Sequence, residues 1–455
     1  MRSVSGPALG LAILVVSAFP GRAAGAPPDA APGPKAVEVL DVARVWAGHP
    51  VGFCLLTAGG RQFAAYYDAE RRLTVAARPL DGKTWQYQVL PSRVVWDSHN
   101  YVTMAADGDG HLHLSGNMHC VPLVYFRTTR PWEIASFERV ERMTGESESR
   151  CTYPRFTTGP GGELIFHYRD GRSGQGNEIY NVYDPKTKAW QRLLDRPLTD
   201  GRGRMNAYAH GPVKGPDGIF HLGWVWRDSP DCSTNHDLSY ARSRDLLKWE
   251  TAGGAPVALP ITIETPGVIV DPSPPKGGLI NMGLGLGFDA DRRPVLTYHR
   301  YDDAGNSQVF NARWEEGRWR VVPASDWSYR WEFGGGGSIA SEVGAGPVRV
   351  LPDGALAQSY SHAKLGSGTW KLDARTLKPA GTIPSVPTLP PGLGRPESAF
   401  PGMQVRWAHD QGDSGEPGVR YVLRWETLGP NRDRPREGDL PEATPLRVYK
   451  IAGSS

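Results

Sequence analysis

The stretch DSHNYVTMAADGDGHLHLSGNMH, residues 97–119, decides the fold because it contains one complete copy of a repeating unit. Two runs of alternating apolar residues flank the tetrapeptide DGDG, which predicts two antiparallel strands joined by a tight turn. Glycine, asparagine and aspartate suit such turns because they tolerate backbone φ angles above zero. A histidine stands at each open end of the predicted hairpin, His99 and His119.

The unit recurs along the whole chain as a turn followed by an alternating strand. Seven copies are present, with equivalent turn residues at Gly60, Gly110, Gly162, Gly218, Arg292, Gly354 and Gly418. Adjacent copies lie 50–74 residues apart, and further short strands fit into each interval. A repeat of this order with several strands is typical of β-propellers. The pattern therefore predicts an all-β, seven-bladed β-propeller with four-stranded antiparallel blades, and a β-sandwich with irregular hairpins is the alternative.

Composition and the N-terminus indicate an exported chain. The 455 residues include 55 Gly and 15 Trp, which is atypical of a helical protein. Arg2, the apolar run GLAILVVSAF and the small residues after it predict a signal peptide over residues 1–26, with a retained membrane anchor as the alternative. A disordered linker is expected over 27–38 and a single catalytic propeller domain over 39–453. The protein is expected to be secreted or periplasmic.

Charge and cysteine content limit the partners. Loss of Arg2 and Arg22 with the leader lowers the net charge from +3 to about +1, which argues against a nucleic-acid partner. We expect a monomer with no membrane partner. The four cysteines lie outside any CxxC pattern. Cys120 directly follows His119, and Cys151 lies two residues before Tyr153. If these two hairpins are neighbours, Cys120 and Cys151 either form a disulfide or are two free thiols, and both alternatives are open.

Hairpin pairing predicts a cluster at the end of the blades opposite the turns. Facing residues in an antiparallel pair are equidistant from the turn. This rule places His99 opposite His119 to within one residue, Tyr153 near Arg169 on the next hairpin, and Tyr208 opposite Val225 on the third. Equivalent positions of adjacent blades share one propeller face. The five candidate residues, which are His99, His119, Tyr153, Arg169 and Tyr208, should therefore converge.

This residue set fits β-elimination on a uronic acid better than hydrolysis. Glycoside hydrolases normally use two carboxylates, and no such pair stands out here. An arginine can neutralise a uronate carboxylate through paired hydrogen bonds, which makes the C5 proton more acidic. A histidine or tyrosine can then remove that proton while another protonates the leaving oxygen at C4.

Several motifs resemble those of the BNR-repeat polysaccharide lyases. The stretch 97–119 is one, and the others are TYPRF, FHYRDGRSGQGN and WVWRDSPDCSTNHD. This group includes ulvan lyases and L-rhamnosyl-α-1,4-D-glucuronate lyases, which are seven-bladed propellers, and the resemblance extends from about residue 45 to 450. It implies a carbon–oxygen lyase that cleaves a rhamnosyl-(1→4)-uronate linkage in a polysaccharide and leaves a 4,5-unsaturated uronate.

The resemblance also implies roles for the converging residues. His99, His119 and Tyr153 would be catalytic, and Arg169 with Tyr208 would bind the substrate carboxylate. Whether histidine or tyrosine is the base stays open, because members of the group differ. The alternative functions are a glycan-binding propeller without activity and a sialidase-like glycoside hydrolase, although only SRDLLKW (243–249) approximates a sialidase box.

No cofactor is expected for the chemistry, but a structural ion is open. Some relatives hold zinc among histidine and cysteine side chains, which suggests His221, Cys232 and His236 as ligands here. Their spacing is not a complete zinc motif. A calcium ion held by oxygen ligands is equally open, and so is the alternative that His236 is simply hydrogen-bonded under the site and Cys232 is a buried thiol.

Overall fold

The structure, a computed structural model, describes residues 33–384 and 388–453. Sheet 1 contains β2 (Cys54–Ala58), β3 (Arg61–Tyr67), β4 (Arg72–Pro79) and β5 (Gln86–Arg93). Sheet 2 contains β6 (Val102–Ala106), β7 (Leu112–Gly116), β9 (Tyr125–Thr128) and β10 (Phe137–Arg139). Sheet 3 contains β8 (His119–Val121), β11 (Cys151–Thr158), β12 (Leu164–Arg172), β13 (Gln175–Asp184) and β14 (Ala189–Arg192). Sheet 4 contains β15 (Asn206–Lys214), β16 (Phe220–Arg227), β17 (Asn235–Ser243), β18 (Trp249–Glu250), β19 (Pro256–Val257) and β20 (Ile269–Asp271).

The remaining sheets complete the chain. Sheet 5 contains β21 (Gly285–Phe288), β22 (Pro294–Tyr301), β23 (Ser307–Glu315) and β24 (Arg318–Pro323). Sheet 6 contains β25 (Val343–Ala345), β26 (Arg349–Val350), β27 (Leu356–His362), β28 (Gly366–Leu372) and β29 (Pro379–Ile383). Sheet 7 contains β30 (Met403–His409), β31 (Val419–Leu428), β32 (Thr444–Ala452) and the first strand of the chain, β1 (Lys35–Val45). Three short 3-10 helices cover Ile134–Ser136, Cys232–Thr234 and Asn281–Gly283.

The pairing of β1 with β32 joins the two ends of the chain. β1 is the outermost strand of sheet 7 and runs antiparallel to β32, from Lys35 opposite Ala452 to Val45 opposite Thr444. This closure ties the last sheet to the first, as a ring of blades requires. β1 begins inside the stretch predicted as linker, because the alternating sequence KAVEVLDV continues a strand that has a partner. The signal peptide and the linker up to residue 32 lie outside the described residues.

The seven repeated turns are confirmed. Six lie between the first two long strands of a sheet, and the turn at Gly354 lies between the two-residue β26 and β27. All seven reference residues have positive φ, from 65° at Arg292 to 91° at Gly162, which explains why six of them are glycine. The all-β propeller prediction is confirmed, and the described residues form seven sheets, the predicted number of blades. The expectation of four strands per blade was too simple, since sheets 3, 4 and 6 carry additional short strands.

The core lies between adjacent sheets. One apolar cluster joins sheets 7, 1, 2 and 3, and further clusters join sheets 3 and 4, 4 and 5, and 5 and 6. Trp224 and Trp226 are fully buried in the cluster between sheets 3 and 4, and a fully buried large side chain stabilises by about 1.5–3 kcal/mol. Sheet 3 is thus held firmly between its neighbours. No helix within the described ranges is long and apolar enough to span a bilayer.

Candidate active site

His99 and His119 reach the same point from different sheets. His99 lies in the loop before β6, and His119 begins β8 of sheet 3, where it faces Thr152. Their rings stack with centroids 4.1 Å apart and planes 24° apart. The sequence placed His119 on the hairpin of His99, but the chain leaves that hairpin after β7. Asn117 and Cys120, both at φ 56°, redirect it toward sheet 3. The pair is brought together, although by two sheets rather than one.

Asp97, which sequence reasoning missed, connects the two histidines. Its Oδ1 accepts hydrogen bonds from Nδ1 of His99 at 2.7 Å and from the His99 backbone N–H at 2.9 Å. Its Oδ2 accepts from Nδ1 of His119 at 2.5 Å. Burial alone would raise the pKa of the Asp97 carboxyl, but the hydrogen bonds from His119 and His99 hold it well below its ordinary value. The only signal in the sequence is the aspartate two residues before His99.

The same contacts set the protonation of His119. Burial lowers the pKa of His119, but the hydrogen bonds to Asp97 and then to Cys120 raise it to about 9. Since an ordinary histidine titrates near 6.5, His119 keeps its extra proton through neutral pH. His119 is therefore an imidazolium beside the Asp97 carboxylate.

A second aspartate, Asp433, fastens the loop that carries Asp97 and His99. Its Oδ1 accepts from Nε2 of His49 at 3.0 Å and from the backbone N–H and Oγ of Ser98 at 3.0 and 2.9 Å. Its Oδ2 accepts from the N–H of Ser338 at 2.8 Å and lies 3.5 Å from Nδ1 of His99. Burial would raise the pKa of Asp433, but the hydrogen bond from His49 and the charge of His99 lower it. Four distant segments thus meet at one carboxylate.

Arg169 lies fully buried beneath the rim of the site. It belongs to β12, where it faces Thr152 on β11. One Nη donates to Oγ1 of Thr152 at 2.9 Å and to Sγ of Cys120 at 3.3 Å, and the other lies 3.5 Å from the Tyr208 hydroxyl. The arginine is therefore held in place by hydroxyl and sulfur groups of sheets 3 and 4. Its Nε has no hydrogen-bond partner among the residues that the structure describes.

Tyr153 occupies a β-bulge. The register of β11 and β12 shifts between Thr152 and Arg155, and Tyr153 has φ 59°. The bulge explains why Tyr153 does not pair directly with Arg169 as the sequence predicted. Its ring instead lies over the Arg169 guanidinium, 5.0 Å from ring centre to Cζ. Burial, then the neighbouring Tyr208, raises the pKa of Tyr153, and Arg169 opposes this. Tyr153 is therefore a neutral phenol at ordinary pH.

Tyr208 completes the group and faces Val225 as predicted. Its hydroxyl lies 2.6 Å from Oγ of Ser173, and its ring is 6.1 Å from that of Tyr153. The Tyr153 ring is in turn 5.6 Å from His99. The structure thus brings the five predicted residues together in one contiguous group.

Glu178 is a further carboxyl that the sequence did not reveal. It faces Arg169 from β13 and is buried. Burial raises the pKa of Glu178 to about 7, with Arg169 and then Arg155 opposing the rise. Glu178 lies on β13, on the side of Arg169 away from β11. Its carboxyl therefore contributes to the net charge on that side of Arg169.

The three residues suggested as metal ligands do not meet. His221 hydrogen-bonds to Tyr240 at 2.6 Å and Asp217 at 3.1 Å near the turn end of sheet 4. His236 faces Trp226 on β16. Trp226 lies five residues after His221 on the same strand, which separates the two positions by about 17 Å at ~3.3 Å per residue. Cys232 packs in an apolar cluster. The suggestion used closeness in sequence, whereas strand direction separates His221 from the others.

Within residues 33–384 and 388–453, one set of three potential ligand side chains brings its atoms within 4.8 Å of one another, namely Asp97, His99 and His119. Its N···O distances of 2.5 and 2.7 Å are hydrogen bonds. They are shorter than the spacing of about 3.3 Å between ligands at tetrahedral bonds of about 2.0 Å. The trio is therefore a hydrogen-bonded group in this structure, and a structural zinc or calcium ion stays a prediction.

All four cysteines are free thiols, so the Cys120–Cys151 disulfide does not form. Cys151 is buried in sheet 3, while the half-buried Cys120 turns toward Thr152 and Arg169. Burial would raise the pKa of Cys120, but His119, Arg169 and Thr152 lower it to about 7. Burial raises the pKa of Cys54 to about 12 and raises those of Cys151 and Cys232.

We expect iodoacetamide to modify Cys120 first, because the thiolate is the reactive form. The rate should rise with pH through a midpoint of about 7, as the thiol loses its proton. Peptide mapping after brief alkylation across this pH range measures both the site and the midpoint. Cys120→Ser is the control and should remove the fast phase. Faster labelling of Cys54, Cys151 or Cys232 in the folded protein would contradict the assignment.

Comparison with known proteins identifies the family to which the chain belongs and a set of relatives. The model of the BNR repeat-containing family matches residues 61–327. The short-isoform ulvan lyase of Alteromonas sp. (strain LOR) is 28% identical over 172 residues, which is 32% of this chain and 31% of that protein. The long-isoform ulvan lyase of Glaciecola sp. (strain KUL10) is 28% identical over 95 residues, or 19% of this chain and 9% of that protein. The chain therefore matches well under two thirds of the length of each of these relatives.

Two solved structures share the fold. The polysaccharide lyase Uly1 has a TM-score of 0.59 at 13% identity, covering 92% of this chain and 99% of its own. A PL25 ulvan lyase bound to -[GlcA(1-4)Rha3S]- has a TM-score of 0.58 at 13% identity. The match covers 90% of this chain and 95% of that chain. At this identity the likeness establishes the propeller architecture.

Proposed function

The chain belongs to the BNR repeat-containing family, and from that premise we propose that it is a polysaccharide lyase acting by β-elimination. The substrate would be a polysaccharide in which rhamnose is linked (1→4) to a uronate. The observation that carries the proposal is the buried Arg169 against the rings of Tyr153 and Tyr208, with the stacked pair of His99 and His119 next to Tyr153. Two ulvan lyases among the sequence relatives support the same reaction class.

Arg169 would receive the uronate carboxylate. Its guanidinium contacts hydroxyl, thiol and aromatic groups, so its positive charge is available to an incoming anion. A buried arginine neutralises a carboxylate strongly because the local dielectric is low. Tyr208, whose hydroxyl lies 3.5 Å from Nη1, is placed to donate a second hydrogen bond to the same carboxylate.

The chemical step then follows from charge. A base takes the C5 proton, and the C5–H electron pair forms the C4=C5 double bond. The C4–O4 bond breaks, and O4 leaves with a proton from a general acid. The negative charge that develops next to the carboxylate is the charge that Arg169 stabilises. The products are a 4,5-unsaturated uronate end and a new hydroxyl on the leaving chain.

The two proton-transfer roles go to His119 and Tyr153. Both groups hold a proton at neutral pH, so the base must first lose its own. With a pKa of about 9, His119 loses its proton at lower cost than Tyr153, whose pKa burial raises further. We therefore assign His119 as the base and the neutral Tyr153 phenol as the acid. His99, stacked on His119, orients the substrate.

The remaining parts of the proposal concern context. The scheme assigns every step to side chains of this chain and uses no cofactor. A monomer released outside the cytoplasm would meet such a polysaccharide, and residues 1–26 would provide the leader.

Digestion of a panel of uronate-containing glycans, including ulvan and gum arabic, tests the proposal. An unsaturated uronate absorbs in the ultraviolet because its new double bond is conjugated with the carboxyl group. We expect absorbance to rise with chain cleavage on a rhamnose–uronate polymer. Cleavage measured as new reducing ends without any absorbance would indicate hydrolysis, and binding without cleavage would indicate a glycan-binding propeller.

A further inference from the structure

Asp97 joins the two histidines in a way that goes beyond the five residues already assigned. We infer that Asp97 is the positioning residue of the site, which fixes both imidazoles with Nδ1 toward its carboxylate and Nε2 toward the substrate. This inference deepens the proposed function and rests on it for its kinetic consequences. The orientation itself is a property of the free protein.

The geometry leaves each ring one orientation. Asp97 is an acceptor-only group with one oxygen for each histidine, at 2.7 Å for His99 and 2.5 Å for His119. The backbone N–H of His99 also donates to Oδ1, which holds the carboxylate across both rings. Because Asp97 occupies Nδ1 of each ring, the opposite nitrogen, Nε2, is the one that exchanges a proton, and at His119 the Cys120 thiol also hydrogen-bonds to the ring. The arrangement is the orienting role that a carboxylate has behind a catalytic histidine.

Stacking couples the two rings. With centroids 4.1 Å apart, two imidazolium charges would repel strongly, whereas one charge beside Asp97 is stabilised. Asp97 thus determines both which nitrogen faces the substrate and how readily that nitrogen gives up its proton.

Other charged and titratable groups surround the trio. Asp433, from the loop before β32, lies 3.5 Å from Nδ1 of His99 and is itself bonded to His49. From sheet 3, Cys120 contacts His119 and accepts a hydrogen bond from Arg169 at 3.3 Å, and Tyr153 faces His99. Asp433 adds negative charge next to His99, and the positive charge of Arg169 is separated from His119 by Cys120. Asp97 alone among these groups bonds to both histidines.

Asp97→Asn is the decisive variant, because an amide has one acceptor oxygen and an NH2 that cannot accept. One ring then loses its acceptor and is free to turn. Without the carboxylate, the pKa of His119 should fall from about 9 toward ~6.5. The rise of kcat/KM with pH should move down accordingly. We expect kcat to fall roughly 10²–10⁴-fold with little change in KM, since the same exchange behind a protease histidine costs about 10⁴.

Asp217→Asn is the matched control. Asp217 accepts from Nε2 of His221 at 3.1 Å near the turn end of sheet 4, so the exchange removes a carboxylate from a histidine outside the site. Its pH profile and kcat should equal those of the wild type. An Asp97→Asn enzyme with the wild-type pH profile and kcat would overturn the inference.

Nuclear magnetic resonance of histidine-labelled wild-type protein separates this inference from the lyase proposal. Long-range nitrogen–proton spectra, assigned with His99→Gln and His119→Gln, report which ring nitrogen carries the proton. Both rings should be Nδ1–H tautomers in their neutral forms, whatever the protein's activity. An Nε2–H tautomer with a bare Nδ1 at either ring would reject the inference even if the protein is a lyase, and it needs no folded Asp97 variant.

Discussion

Replacing Arg169 by alanine should lower kcat/KM on a rhamnose–uronate polymer by at least about 10²–10³-fold, the usual cost of losing one donor to a developing charge. The uronate carboxylate already carries a negative charge, and removal of the C5 proton adds another beside it. Without the buried guanidinium the carboxylate loses the cation that lies against Tyr153 and Tyr208. Initial rates of ultraviolet absorbance over a range of substrate concentrations give the change.

Arg169→Lys separates charge from geometry. Lysine keeps the positive charge but lacks the planar fork that binds a carboxylate through two hydrogen bonds, so we expect an intermediate loss. Arg78→Lys is the matched control, because Arg78 is also buried but bonds to Gln62 in sheet 1, away from the site. Thermal melting of all variants checks folding. Wild-type rates from a folded Arg169→Ala protein would show that the carboxylate binds elsewhere.

Tyr153→Phe and His119→Gln should each lower kcat by roughly 10²–10⁴-fold, the contribution of one general acid or base. Tyr153→Phe removes only a hydroxyl from a ring that stacks over Arg169, so the protein should fold normally. His119→Gln removes the base and with it the pH dependence that the base imposes. The losses in kcat from the two substitutions should not be additive, because both side chains act in the same elimination.

The pH profile distinguishes the two roles. A base must be deprotonated, so kcat/KM of the wild type should rise as pH increases through about 9, the pKa of His119. Tyr153→Phe should retain this rise at a lower level, whereas His119→Gln should lose it. Activity that is greatest well below pH 9 and falls as His119 deprotonates would reverse the assignment and make His119 the acid.

The fold was predictable because its signals are local. Each turn needs a residue with positive φ, and six of seven reference positions are glycine. The pairing of Tyr208 with Val225 followed from counting outward from the turn, since β15 and β16 keep a regular register over that length. Periodic turns and alternating strands therefore determined both the architecture and the end of the blades at which polar residues gather.

The finer geometry depended on features that counting cannot detect. A bulge at Tyr153 offsets it from Arg169, and the turn at Asn117 and Cys120 transfers His119 to the next sheet. Asp97 was missed because its role arises only when two separate segments meet at its carboxylate. His221 does not join the other two suggested metal ligands, because residues that are close in sequence lie far apart when the chain between them is an extended strand.

The most direct test of the central claim is mass spectrometry of the products from a defined rhamnose–uronate oligosaccharide. Elimination adds no water, so the two fragments should sum to the mass of the substrate, and the fragment with the uronate at its non-reducing end should be one water lighter than the saturated sugar. Fragments that sum to the substrate plus one water, with a saturated uronate, would contradict the lyase assignment and make the protein a hydrolase.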